Sequence, residues 1–122
     1  MHNVIPIRTI GPNIINYCYL VFDTKTKNGI LVDPGWEFHL IDARIKELGI
    51  HLQGILLTHH HRDHSRLAEE FALKYDCPVY INEAEANYYG FTCVNLSLIR
   101  TEWSFYIAEF KVLPFFTAGH TF

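Results

Sequence analysis

Apolar and polar positions change period several times along this chain, and each change predicts an element. Residues 3–10 and 14–23 are rich in Ile, Val, Tyr and Phe around a Gly11-Pro12-Asn13 break, the mark of two strands joined by a turn. Residues 24–29 carry two lysines and end in Asn28-Gly29, which predicts a tight turn into a third strand over 30–33, stopped by Pro34-Gly35. Leu40, Ile41, Ile45 and Leu48 then recur at helical spacing, with Asp42, Arg44, Lys46 and Glu47 on the other side and Gly49 where a C-cap belongs. Residues 53–58 form a short apolar strand. Helical spacing returns over 65–75 through Leu67, Ala68, Phe71, Ala72 and Tyr75, and a strand follows at 78–81. Residues 83–89 read as a short helix and 94–116 as two or three further strands, before a loop at 117–121. Strands alternating with helices in this order predict an α/β arrangement.

Composition narrows the class. The 122 residues suit one small domain, and 49% apolar against 19% charged residues is enough for a packed core. A net charge of -3 supplies no basic footprint, so neither nucleic acid nor an anionic membrane is expected as a partner. The uncharged run 14–22 falls well short of the roughly 20 residues needed to span a bilayer. No basic region followed by an apolar run opens the chain, and a cytoplasmic protein is expected. Cys18, Cys77 and Cys93 are far apart and form no CxxC pair, which predicts ordinary buried or half-buried thiols.

Histidine is where the composition is unusual. Of eight, four (His59, His60, His61 and His64) fall within six residues. Their segment joins an apolar strand to an amphipathic helix, so it leaves the carboxyl end of a strand, where α/β folds place ligands. His59 and His61, two apart in an extended segment, can grip one metal ion, and Asp63 and His64 can offer an oxygen and an imidazole to a second. Zinc accepts both ligand types at about 2.0 to 2.2 Å. A solvated polar loop is the competing reading. It is the weaker one, because four histidines and an aspartate beside a buried strand are expensive to leave unpaired.

His59-x-His61-x-Asp63-His64 resembles the HxHxDH signature of the metallo-β-lactamase superfamily, with Asp33-Pro34-Gly35 before it and Gly119-His120-Thr121 after it in the order that family uses. The early hairpin, the VDPG strand end, the THHHxDH loop and the late GHT loop are most similar to the hydroxyacylglutathione hydrolase (glyoxalase II-like) branch. The resemblance implies His59, His61 and His120 as ligands of a first zinc, and Asp63 with His64 as ligands of a second. It gives Asp33 the role of orienting the ligand loop by hydrogen bonds; as a reading of the residues alone, a turn-forming Asp before Pro-Gly stands beside that role. His60 and Arg62 occupy the variable positions, and His2, His39 and His51 are expected at the surface.

The implied fold is an αββα sandwich of two sheets with helices outside. This chain is expected to hold roughly its N-terminal half, one mixed sheet with helices on one face, as a single domain over 1–122 that is incomplete at its C-terminus. Ser65-Arg66-Leu67 stands where many relatives carry a Gly-Gly pair, and the later bridging Asp, the last His and the usual substrate-binding segment are absent. Three imidazoles leave a fourth position for a water, whose pKa falls from 15.7 to about 7 on zinc. The second site keeps two ligands, so about one tightly bound zinc per chain is expected, with Asp63 as the catalytic residue that orients the attacking water. The implied activity is zinc-dependent hydrolysis of small acyl thioesters or esters. A lactonase or β-lactamase-type hydrolase, an iron-dependent dioxygenase on the same scaffold, and a non-catalytic metal-binding half-domain are the alternatives.

Assembly follows from the strands. Residues 14–22 are apolar on both faces, Ile14, Cys18, Leu20 and Phe22 against Ile15, Tyr17, Tyr19 and Val21, and such strands need cover on both. Helices cover one. A homodimer through the other face is expected, with Tyr17, Tyr19, Val21 and the strand at 110–116 among the residues buried in an interface on the order of 2,000 Å²; aggregation, or association with a separate polypeptide carrying the missing half, is the alternative.

Overall fold

A computed structural model describes residues 2–12, 14–58, 67–100 and 104–112 of the chain. Strands β1 (His2–Gly11) and β2 (Ile14–Asp23) pair antiparallel over their whole length, from His2 opposite Asp23 to Gly11 opposite Ile14. Strand β3 (Asn28–Val32) is antiparallel to β2, after a turn in which the Asp23 carboxylate accepts the Lys25 and Thr26 amides. From there the chain makes three crossovers through α1 (Phe38–Leu48), α2 (Ala68–Tyr75) and α3 (Glu83–Tyr89), which set β4 (His51–Leu56), β5 (Val79–Asn82) and β6 (Leu96–Ile99) parallel to β3. The result is a six-stranded mixed sheet in the order β1-β2-β3-β4-β5-β6, followed by a small antiparallel hairpin of β7 (Phe105–Ile107) and β8 (Phe110–Val112).

Each helix stops where the chain turns left-handed. Gly49, Asp76 and Gly90 adopt φ of 67°, 51° and 68° and send their amides back to the last helical carbonyls. At the other end of α3, the Asn82 side chain accepts the Glu85 amide.

Alternation along the strands produces two cores. Ile7, Cys18, Leu20, Leu31, Ile55 and Val79 face the helices and pack with Ile41, Ile45, Phe71 and Ala72. On the opposite face, Ile30, Ile107 and Phe110 form a second, smaller cluster with Val21, Val32, Leu56 and Tyr80 around it, so the hairpin covers β3 to β5 and reaches Val21 of β2 and the His2 ring of β1. Gly54 allows this close approach, since a Cβ there would sit 3.0 Å from the Tyr80 ring and 3.2 Å from Ile107. Glu109 ties the hairpin tip down by accepting from Thr26 Oγ1 at 2.6 Å and Asn28 Nδ2 at 3.1 Å.

Among the described residues the tail contributes three strands, within the two or three expected, and Phe110 packs inside the chain against Ile30 and Ile107; residues 113–116 lie outside the described residues. Helix α1 is turned relative to the apolar pattern: Leu40 is 42% exposed while Asp42 is 5% exposed. Asp42 sits on the flank that meets α2, where Lys74, Tyr75 and Lys46 donate to its carboxylate. A buried carboxylate with that many donors is satisfied. Among the described residues, nothing covers the hairpin-free part of the second face on β1 and β2, where Val4, Ile10, Ile15, Tyr17 and Tyr19 are exposed.

Candidate metal centre

Because β3 and β4 are parallel neighbours, with Val32 opposite Leu56, their carboxyl ends open side by side. Asp33 is the first residue past β3. Its amide continues the ladder to Leu56 O at 3.0 Å, and its φ of 55° then turns the chain out of the sheet. Past β4, Leu57 still donates to Tyr80 O at 2.8 Å, and Thr58 is the last described residue before the histidine cluster.

Asp33 and Thr58 meet across this gap. The Thr58 amide donates to Asp33 Oδ1 at 2.8 Å and the Thr58 hydroxyl to Oδ2 at 2.6 Å, so both carboxylate oxygens hold one residue. The Asp33 side chain is buried, which strengthens charge-assisted bonds of this kind. Pro34, next in sequence and fully buried, accepts the Leu67 amide at 3.0 Å. Residues 33 and 34 therefore hold both ends of segment 59–66, the residue before it and the residue after it.

The same loop is tied to the β1–β2 hairpin. Glu37 adopts a left-handed φ of 60° just ahead of α1, and its carboxylate accepts the Ile10 amide at 2.8 Å. The Trp36 ring lies on Gly11 so closely that a Cβ there would come within 2.4 Å of it. Nearby, burial pushes the Cys18 thiol up to about 12, with the Asp33 charge adding to it.

His59, His61, Asp63, His64 and His120, with His60 and Arg62, lie outside the described residues. Asp33 is the one candidate the structure places. Among the described residues no group of three or more His, Cys, Asp or Glu could hold a metal ion. His2, His39 and His51 are exposed, as expected, and Cys18 and Cys77 are buried with Cys93 half-buried. The donor set of the clamped segment and residue 120 consists of imidazoles and a carboxylate, which suits zinc or iron. Thr58, Trp36 and Glu37 were not singled out by sequence. Thr58 carried a faint signal, a hydroxyl immediately ahead of the cluster, but its partner is 25 residues away.

Fold and clamp together define an α/β scaffold in which Thr58 and Leu67, the residues flanking segment 59–66, are held by Asp33 and Pro34 beyond the carboxyl end of β3. The sequence profile of the metallo-β-lactamase superfamily matches residues 11–116, and the chain belongs to that superfamily. It is similar to the protein named "Probable polyketide biosynthesis zinc-dependent hydrolase BaeB" of Bacillus velezensis, with 38% identity over 98% of this chain and 53% of the relative. It is also similar to a hydroxyacylglutathione hydrolase of Bdellovibrio bacteriovorus, with 33% identity over 86% of this chain and 42% of that one. Among solved structures, the BLEG-1 B3 metallo-β-lactamase matches with a TM-score of 0.72 at 21% identity, over 91% of this chain and 58% of that chain. TTHA1623 in a di-iron-bound form matches with a TM-score of 0.58 at 27% identity, over 79% and 52%. The chain thus spans about half the length of the curated relatives it matches.

Proposed function

We propose that this chain carries the metal-binding part of a zinc-dependent hydrolase acting on small acyl thioesters or esters, of the hydroxyacylglutathione hydrolase kind. The observation that supports the reading is the bond pair from Thr58 to Asp33, which fixes the residue just ahead of His59-x-His61-x-Asp63-His64 in the chain at the carboxyl ends of β3 and β4. His59, His61 and His120 would hold the first ion, and Asp63 with His64 a second, weaker one. Zinc held there supplies Lewis acidity and a water that ionises near pH 7. Asp63 would orient the attacking water by accepting a hydrogen bond from it. Asp33, by fixing Thr58, limits the paths that the ligand segment can take. The substrate class is supported by the relative named hydroxyacylglutathione hydrolase and the chemistry by the relative named a zinc-dependent hydrolase.

Metal content and turnover of an S-acyl-glutathione test this together. After exhaustive dialysis, elemental analysis should find about one zinc per chain. His61→Ala should lose it and His60→Ala should keep it. Equal loss in both would overturn the ligand assignment, and a folded chain that retains zinc without any turnover would favour a non-catalytic metal-binding module. The di-iron-bound neighbour supports a second reading in which iron fills the same ligands, and elemental analysis separates the two metals.

A further inference from the structure

Loop 33–37 is bonded to several other parts of the chain. Two of its residues, Asp33 and Glu37, adopt left-handed φ of 55° and 60°, a region that residues other than glycine rarely enter. Each turns its carboxylate to a backbone amide of another element, Asp33 to Thr58 after β4 and Glu37 to Ile10 of β1. Glu37 stands at the start of α1, where its carbonyl accepts the Leu40 and Ile41 amides, yet its side chain caps nothing in that helix. We infer, on the reading that segment 59–66 carries metal ligands, that Trp36 and Glu37 are positioning residues of that segment. They brace loop 33–37 against the β1–β2 hairpin, so that Asp33 and Pro34 hold Thr58 and Leu67 in place.

The strand register puts the brace at the same end of the sheet as Thr58. Val32, which closes β3, lies opposite Tyr19, and the hairpin runs on from there to Gly11 and Ile14, roughly 15 Å further along the strand direction. Ile10 and Gly11 sit on this overhang, beside the loop that leaves β3. The Trp36 ring occupies the space over Gly11, where a Cβ would come within 2.4 Å of ring carbons Cδ2 and Cε2. A strand position without a side chain is what lets the ring come so close. Consecutive loop residues thus meet consecutive hairpin residues, one contact apolar and one a hydrogen bond of 2.8 Å to a carboxylate. Held at two points, the loop cannot pivot about either.

The path from brace to segment is short. Asp33 takes the Thr58 amide and hydroxyl, and Pro34, whose ring fixes its own φ, takes the Leu67 amide. Left-handed backbone at Asp33 and Glu37 persists only where surrounding contacts over-determine it, and the bond from Ile10 is one of those contacts. Without it Glu37 is free to relax toward ordinary φ, and the turn that presents the Asp33 carboxylate and the Pro34 carbonyl shifts with it. Residues that support metal ligands from behind are worth about 10 to 100-fold in affinity. Trp36 and Glu37 act one step further back, through Asp33 and Pro34, so the lower end of that range is expected.

Residue-resolved amide hydrogen exchange of the metal-free 122-residue chain tests the brace, and a chelator competition for zinc tests what the brace does for the metal. Glu37 is exposed, so Glu37→Ala leaves the core intact. In that variant the Thr58 and Leu67 amides should exchange about tenfold faster while Ile55 and Val79, bonded within the sheet, keep their protection. Zinc affinity should fall about tenfold. Glu37→Gln keeps an oxygen that accepts from Ile10 and should restore most of both effects, and Gly11→Ala, which drives a methyl into the Trp36 ring, should act like Glu37→Ala. Glu109→Ala, which loses bonds to Thr26 and Asn28 at the other end of β3, should leave exchange at Thr58 and Leu67 unchanged. Unchanged exchange at Thr58 and Leu67 in Glu37→Ala, equal loss of protection at Ile55 and Val79, an equal effect of Glu109→Ala, or faster exchange with zinc affinity intact would each overturn the proposal. An unaltered chain that takes up no zinc would overturn the proposed function and this role with it, whereas zinc uptake beside unchanged exchange in Glu37→Ala overturns the role alone.

Discussion

At the scale of single residues, the molecule turns on Asp33. Its left-handed φ makes it the residue that leaves the sheet, and its two carboxylate oxygens make it the acceptor for Thr58. The turn reading of Asp33 describes this backbone, and its carboxylate holds Thr58, the residue ahead of segment 59–66. Replacing Asp33 by Ala removes both acceptors and should cost about 2 to 3 kcal/mol in denaturant unfolding, the range for hydrogen bonds to a charged group. In a chelator competition it should also lower zinc affinity by 10 to 100-fold, as loss of a supporting residue does in metal sites. Thr58→Val keeps the amide donor and loses the hydroxyl, so about 1 kcal/mol and less than tenfold in affinity are expected. Equal effects of the two substitutions would mean that the amide bond to Asp33 holds nothing in place. The ligand candidates His59, His61, Asp63 and His64 were legible in the sequence because their spacing is local, and they lie outside the described residues. The clamp was not legible, because Leu67 and Thr58 reach residues 33 and 34 only through the parallel pairing of β3 with β4.

At the scale of elements, α1 and α2 are joined through Asp42 as well as through apolar packing. Burial pushes the Asp42 carboxyl up, but the bonds from Lys74, Tyr75 and Lys46 outweigh it and hold it below the ordinary carboxylate range. A carboxyl lowered in the folded state stabilises the fold above its unfolded value near 3.9, and that contribution is lost as pH falls through the lowered folded value. Asp42→Asn should therefore cost about 2 kcal/mol at pH 7. In unfolding curves taken at successively lower pH, the gap between the two proteins should begin to close below about pH 4. A gap that stays constant through acid would show that the charge on Asp42 contributes nothing. The helix itself was read correctly from its period, but the phase was not. Leu40 and Asp42 differ by half a turn in direction, and which of them faces inward depends on whether α2 brings a cation, Lys74, and a hydroxyl, Tyr75, to meet it.

At the scale of the whole molecule, the sheet is covered on one face by helices and on part of the other by its own hairpin, and the thiols report how tightly this closes. Burial pushes Cys18 up to about 12 and Cys77 and Cys93 up to about 11, so little thiolate exists near pH 8. Alkylation of the folded chain with iodoacetamide, followed by mass spectrometry, should label half-buried Cys93 first and Cys18 and Cys77 only slowly, with all three reacting promptly in denaturant. Native Cys18 labelling as fast as in denaturant would contradict the described packing of the β2 core face.

The α/β class, the order of elements and the residues offered as metal ligands were determined by the sequence alone, because period, turn chemistry and ligand spacing are relations between neighbours in the chain. Tertiary structure decided which carboxylates are buried, which face the hairpin covers and what holds the loop ends. These are contacts between residues 25, 32 and 83 positions apart, Asp33 with Thr58, Asp42 with Lys74, and Thr26 with Glu109. No local pattern encodes such pairs. They exist only once the parallel crossovers have brought β3, β4 and the two helices side by side and the hairpin has folded back over the sheet.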